Sequence, residues 1–142
     1  TFSKIYGMAG LRAGQGYARP DLTAKMAAFQ NNVISIVTAQ AVLAAIAESK
    51  TLVPERRARV SRTRTELCKW LRQTGLTYIE PQANFVMIDV KRDVRDVAPA
   101  MAKAGVAVGR PFPPLNQMLR VSIGTDQDMT KFRDVFRSVM HV

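Results

Sequence analysis

Cysteine, tryptophan and histidine each occur once in 142 residues, and aromatic residues make up only 7%. A single cysteine excludes an internal disulfide, and Cys68, placed among Glu66, Leu67 and Trp70, reads as a buried helical thiol rather than a nucleophile. Long apolar runs are missing too. Residues 33–47 are the most apolar stretch, but Ser35, Thr38 and Gln40 interrupt it, and a bilayer span needs about 20 apolar residues. No transmembrane helix and no membrane partner are expected. No zinc-ligand spacing, helix-turn-helix or single-strand stacking pattern is visible, so neither a metal site nor a nucleic-acid partner is expected. The sequence opens at Thr1 without a methionine, a charged leader or an apolar leader core, and so reads as a piece of a longer chain. An export signal upstream would be out of view, and a cytoplasmic location is the default expectation.

Acidic residues are scarce, 11 against 21 basic ones, for a net charge of +10. The excess is uneven: residues 1–74 carry 12 basic and 4 acidic side chains, residues 75–142 carry 9 and 7. Its densest part, Arg56, Arg57, Arg59, Arg62 and Arg64, falls in an expected helix and spreads around it, as a solvated surface does. A basic module binding nucleic-acid phosphates is the rival reading of that run. The remaining composition, 47% hydrophobic with 8 Gly and 7 Pro, suits one ordinary globular domain or a little more.

Along the chain, Gly7, Gly10, Gly14 and Gly16 punctuate residues 1–19, which read as a strand end, a tight irregular loop and a second strand near residues 15–19. Asp21 is expected to cap a short helix reaching Phe29, with a break at Asn31 and Asn32 and an Ala-rich helix over residues 34–48. Pro54 suits the first turn of a long helix that shows Val60, Leu67 and Leu71 on its apolar side and stops at Gly75. Strands and helices then alternate. Residues 85–90 read as a strand. Asp96 is the expected cap of a helix with Pro99 in its first turn, Met101 and Ala104 on one face, Val94 and Val97 leading in, and Gly105 at its end. Residues 106–109 read as a short strand, and Pro111, Pro113 and Pro114 make residues 110–117 an extended loop leading into a strand over residues 118–123. Thr125 with Asp128 resembles a capping box for a last helix that buries Met129, Phe132, Phe136 and Val139.

Residues 1–14, Thr-Phe-Ser-Lys-Ile-Tyr-Gly-Met-Ala-Gly-Leu-Arg-Ala-Gly, carry the most chemistry. A phosphorylated ligand wants hydroxyl donors, close backbone approach and a bidentate cation, which Thr1, Ser3, the glycines and Arg12 offer. The amine of Lys4, when neutral, condenses with an aldehyde as a Schiff base. Two nucleotide motifs are excluded. Gly14-Gln15-Gly16-Tyr17-Ala18-Arg19 has Arg19 where a dinucleotide fingerprint needs glycine, and Ser3 precedes Lys4 where a Walker loop needs the reverse order after a glycine.

The Ser3-Lys4 pair followed by Gly10-Leu11-Arg12-Ala13-Gly14 resembles the lysine segment of fold type I pyridoxal-phosphate enzymes, in the class I/II aminotransferase group. Ala83-Asn84-Phe85 and Leu119-Arg120-Val121-Ser122-Ile123-Gly124-Thr125 resemble two further segments of that family, so that the likeness covers essentially the whole chain. Within the group it is nearest to the histidinol-phosphate aminotransferases, through Arg110 together with Arg120. The resemblance implies an α/β fold, the C-terminal part of the PLP-dependent transferase fold. Residues 1–50 would close the large cofactor-binding domain, residues 51–74 form a bridging helix, and residues 75–142 form a small α/β domain. It further implies Lys4 as Schiff-base lysine, Thr1, Ser3 and Arg12 as holders of the cofactor phosphate, and Asn84, Arg110 and Arg120 around the substrate. The cofactor is then pyridoxal 5'-phosphate, the substrates an amino acid or amino-phosphate and a 2-oxo acid, and the full-length assembly a homodimer. A PLP-dependent decarboxylase or lyase on the same fold stays open, since no residue excludes it. Two departures stand out. The loop over residues 29–33 lacks the family's proline, and the family's upstream half, with its ring-stacking aromatic and pyridine-nitrogen aspartate, has no counterpart here, so that these residues alone should be inactive.

Overall fold

The computed structural model describes residues 1–30 and 33–142; the helix break expected at Asn31 and Asn32 lies outside them. The chain divides into two compact units, Thr1–Arg57 and Ala58–Val142.

The first unit begins as an irregular loop with a single 3-10 turn, Ala9–Leu11, followed by α1 (Pro20–Ala27) and α2 (Ile36–Ala47). Neither strand expected in residues 1–19 is formed. A strand needs a ladder partner for its amides, and none pairs with residues 15–19 among the described residues; Tyr17 is exposed and its hydroxyl donates to the Gln15 side chain instead. Helix α1 starts at Pro20, whose missing N–H costs nothing in a first turn, so Asp21 lies inside that turn rather than capping it. Ser35 caps α2, its hydroxyl accepting from the Thr38 amide at 3.1 Å.

Helix α3 (Ser49–Gln73) starts earlier than Pro54 suggests. Its first amides bond back to Glu48, from Thr51 and Leu52 at 3.0 and 2.9 Å, so the helix continues almost directly from α2 and Pro54 falls in its interior. It ends as expected at Gly75, where φ of +72° lets the Leu76 amide reach the Leu71 carbonyl at 3.0 Å and the Gly75 amide the Arg72 carbonyl at 3.1 Å.

The second unit holds an antiparallel sheet in the order β1 (Tyr78–Ile79), β2 (Phe85–Asp89), β3 (Met118–Ser122), with α4 (Val94–Lys103) and α5 (Asp126–Met140). Period-two alternation sends Val86, Ile88, Leu119 and Val121 into one face, where they join Leu67, Cys68, Trp70 and Leu71 of α3 in a single core. The Trp70 ring meets Phe132 and Phe136 edge-on at 6.4 and 5.9 Å. On the opposite face, Phe85, Met87 and Asp89 on β2, and Met118, Arg120 and Ser122 on β3, point away from this core, with Met87 paired to Arg120.

Four local expectations are corrected here. Asp93, not Asp96, caps α4, accepting from the Arg95 amide at 2.8 Å, and Pro99 lies in the helix interior. An interior proline costs about 3 kcal/mol, but starting the helix at Val94 puts Val94, Val97 and Met101 on one fully buried stripe, and each such side chain contributes about 1.5–3 kcal/mol. Ala104 is the exposed C-cap rather than part of that face. Residues 106–109 form no strand, making instead one ladder-like bond, from the Gly109 amide to the Arg120 carbonyl at 2.8 Å. The capping box of α5 is formed as read, with Thr125 and Asp128 bonding reciprocally.

Candidate active site

In the first unit, residues 1–14 fold back on themselves. The Phe2 amide donates to the Ala13 carbonyl at 3.2 Å and the Met8 amide to the Phe2 carbonyl at 3.1 Å, with Phe2 and Ala13 buried where the two ends meet. The Thr1 hydroxyl donates to Ser3 Oγ at 2.9 Å, and the Ser3 amide returns a bond to Thr1 Oγ1 at 3.2 Å. A turn follows in which Gly7, at φ of +70°, donates to the Lys4 carbonyl at 2.9 Å. Lys4 is exposed, and its amine has no hydrogen bond or ion pair among the described residues. Arg12, left-handed at φ of 54°, spends one terminal nitrogen on the Ala9 carbonyl at 2.9 Å and keeps its other donors free of protein partners among the described residues.

This loop is clamped from α2 and α3. Arg56 donates to the Ile5 carbonyl at 2.8 Å, one residue past Lys4. The Ser49 hydroxyl donates to the Ala45 carbonyl, so the Tyr6 hydroxyl is the donor in its 2.9 Å bond to Ser49. Thr38, buried, donates to the Leu11 carbonyl at 3.1 Å while accepting from Ser35. Sequence reasoning missed these three supports. Thr38 looked like an interruption of an apolar run and Arg56 like one solvated arginine among five; a hydroxyl inside an apolar helix was the one signal available. Two hydroxyls, a guanidinium and an amine on one clamped loop are the donor set that fits a phosphorylated aldehyde.

In the second unit, Arg120 and Arg110 converge on one ring. The Arg120 guanidinium lies 4.3 Å from the ring centre of Phe85 and 5.4 Å from that of Phe112; the Arg110 guanidinium lies 5.4 Å from Phe112 as well. Neither arginine pairs with a carboxylate among the described residues, and Arg120 Nε is buried without a hydrogen bond. Asn84 is exposed; its carbonyl accepts from the Ile123 amide at 2.9 Å, and Arg64 holds the neighbouring Ala83 carbonyl at 2.9 Å. Its side-chain amide bonds to neither arginine. The structure thus gathers Thr1, Ser3, Lys4 and Arg12 on one loop and Arg110 with Arg120 around Phe112, while Asn84 stands beside the second group. Cys68 plays no part: it is buried in the core, and burial pushes its thiol pKa up, away from the reactive thiolate.

The chain is similar to known proteins. The family model for aminotransferase class I and II matches residues 1–136. The histidinol-phosphate aminotransferase of Moorella thermoacetica is 35% identical over 99% of this chain and 36% of its own length. A solved structure from Erwinia carotovora atroseptica SCRI1043 superposes with a TM-score of 0.91 at 34% identity, covering 97% of this chain and 40% of that one. The histidinol-phosphate aminotransferase of Sinorhizobium meliloti, solved in complex with pyridoxal-5'-phosphate, superposes with a TM-score of 0.83 at 25% identity, over 99% and 40% respectively. The chain therefore spans well under half the length of these relatives. With a match that runs from the lysine loop to the last helix, it belongs to the class I and II aminotransferase family.

Proposed function

We propose that the protein is a pyridoxal-phosphate-dependent aminotransferase, moving an amino group between an amino acid or amino-phosphate and a 2-oxo acid. The observation that supports this is the folded-back loop that carries Thr1, Ser3, Lys4 and Arg12 on one short segment, with the Lys4 amine unpartnered among the described residues. Thr1, Ser3 and Arg12 would hold the cofactor phosphate, and Lys4 its aldehyde carbon. When bound, pyridoxal 5'-phosphate supplies an electron sink for the bond broken at the substrate carbon. Lys4 Nζ takes and returns the proton at that carbon, a general acid–base role. Arg110 and Arg120 orient the substrate through its anionic group, and Asn84 directly precedes Phe85, whose ring lies against Arg120.

The domain scheme of residues 1–50, 51–74 and 75–142 belongs to the same reading. So do a homodimer, which the exposed apolar side chains Ile36, Val37 and Leu43 on α2 favour, and a cytoplasmic location. No single helix among the described residues is long and apolar enough to cross a membrane.

Product analysis tests the reaction. Supplied with pyridoxal 5'-phosphate, an amino donor and a 2-oxo acid, the full-length protein that contains these residues should form keto product and new amino acid in equal amounts. Lys4→Ala should lower this by about 100-fold or more without changing the thermal melt, because the Lys4 side chain makes no hydrogen bond or ion pair among the described residues. Carbon dioxide or ammonia release in place of exchange would assign another reaction, and an undiminished Lys4→Ala rate would remove the lysine from it.

A further inference from the structure

We propose that Phe112 is a positioning residue that presents Arg110 and Arg120 to one oxyanion, an inference that rests on the reading of these arginines given above. The loop that carries the ring is tied at both ends by main-chain bonds. Gly109 hands the chain to the loop through its bond to the Arg120 carbonyl, and Leu115 closes the loop by donating to the Phe112 carbonyl at 2.7 Å. Both guanidiniums lie over this one ring at 5.4 Å, and Phe85 covers Arg120 at 4.3 Å.

Stacking has a directional consequence. A guanidinium laid against an aromatic ring loses water from its face while its N–H groups radiate in the plane, so the edges remain free for a planar or tetrahedral oxyanion. Two like charges gathered on one ring repel, and no carboxylate among the described residues offsets them. The buried, unpaired Nε of Arg120 adds the desolvation cost of an unmade hydrogen bond. An arrangement that costs stability in the free protein is repaid when an anion arrives. Arg110 is exposed and has no other partner among the described residues, so without the ring it would have to be ordered afresh on binding. Proline on both sides of Phe112 stiffens the segment that carries it.

The test is a titration of inorganic phosphate into the isotope-labelled full chain, following the Nε–H resonances of Arg12, Arg110 and Arg120, each assigned through its Arg→Lys variant. In the wild type, Arg110 and Arg120 should shift together with one Kd. Phe112→Leu should raise that Kd about tenfold, while Phe112→Tyr, which keeps the ring face, should stay within about twofold. Arg12 reports the separate loop and should respond alike in all three. Unchanged core methyl resonances of Val86 and Leu119 certify the fold; should Phe112→Leu lose them, Phe112→Met carries the comparison. Equal Kd values for the wild type and the ringless variant would overturn the positioning role and leave the arginines' own role standing. No shift at Arg110 and Arg120 in the wild type would overturn both.

Discussion

A Cβ at Gly109 would lie 2.8 Å from the carbonyl oxygen of Arg120 and 2.9 Å from its Cβ, well inside contact distance. The obstacle is backbone and the root of a side chain rather than a flexible tip, so it cannot swing away. Gly109→Ala should therefore push β3 and residue 109 apart, break the 2.8 Å bond between them and cost about 1–3 kcal/mol in urea denaturation. Because the displaced residue is Arg120, anion binding should weaken with stability; an alanine variant as stable as the wild type would show that the close approach is not held. At this scale the sequence was legible where chemistry is local. Lys4, Thr1, Ser3 and Arg12 lie on one short segment, and their shared loop follows from spacing and glycine content. Arg56 and Arg64 were not legible, because both look like members of a solvated run until their carbonyl partners, Ile5 and Ala83, are brought to them from 51 and 19 residues away. Phe112 was hidden for the same reason: a ring between prolines acquires meaning only when Arg120 is folded against it.

At the scale of elements, helix caps carry the pH dependence. The carboxylate of Asp93 accepts from the Arg95 side chain and from its backbone amide, and these bonds hold its pKa at about 2, below the ordinary value of 3.8. Asp128, bonded by the hydroxyl and amide of Thr125, is lowered in the same direction. A folded-state pKa below the unfolded one means that this stability is complete above the unfolded pKa and is lost as pH falls through the folded one. Thermal melts followed by circular dichroism should thus drop between pH 3.8 and about pH 2, and Asp93→Asn should flatten part of that drop. An identical pH dependence in the variant would deny the cap its role. The identity of this cap shows where pattern reading fails. Placing Asp96 at the cap spared Pro99 an interior position, yet the buried stripe of Val94, Val97 and Met101 outweighs a proline's cost. The glycine stops at Gly75 and Gly105 and the box at Thr125 were legible because their geometry is satisfied within a few residues. Strands at residues 15–19 and 106–109 were misread because a strand is a property of a pair, and composition names only one partner.

Across the whole molecule, the two units differ in how well they bury what they carry. In Ala58–Val142 the apolar residues of α3, α4, α5 and the sheet share one core. In Thr1–Arg57, Phe29, Val33, Ile36, Val37 and Leu43 remain exposed, with Val33 at 96%. Helix α2 is apolar nearly all round, the pattern of a helix meant to be covered, which agrees with a chain that spans 36–40% of the length of its relatives. The basic excess of the first 74 residues also acquires a local use, since Arg56 and Arg64 tie down backbone carbonyls beside Lys4 and Asn84. What joins these features is the claim that Lys4 is the residue bonded to the cofactor. The direct measurement is to incubate the full-length protein that contains these residues with pyridoxal 5'-phosphate, reduce with borohydride, and find the added phosphopyridoxyl mass by peptide mass spectrometry. The label should sit on Lys4 and disappear from that peptide in Lys4→Ala. A folded, saturated protein labelled at other lysines or at none would contradict the account at its centre.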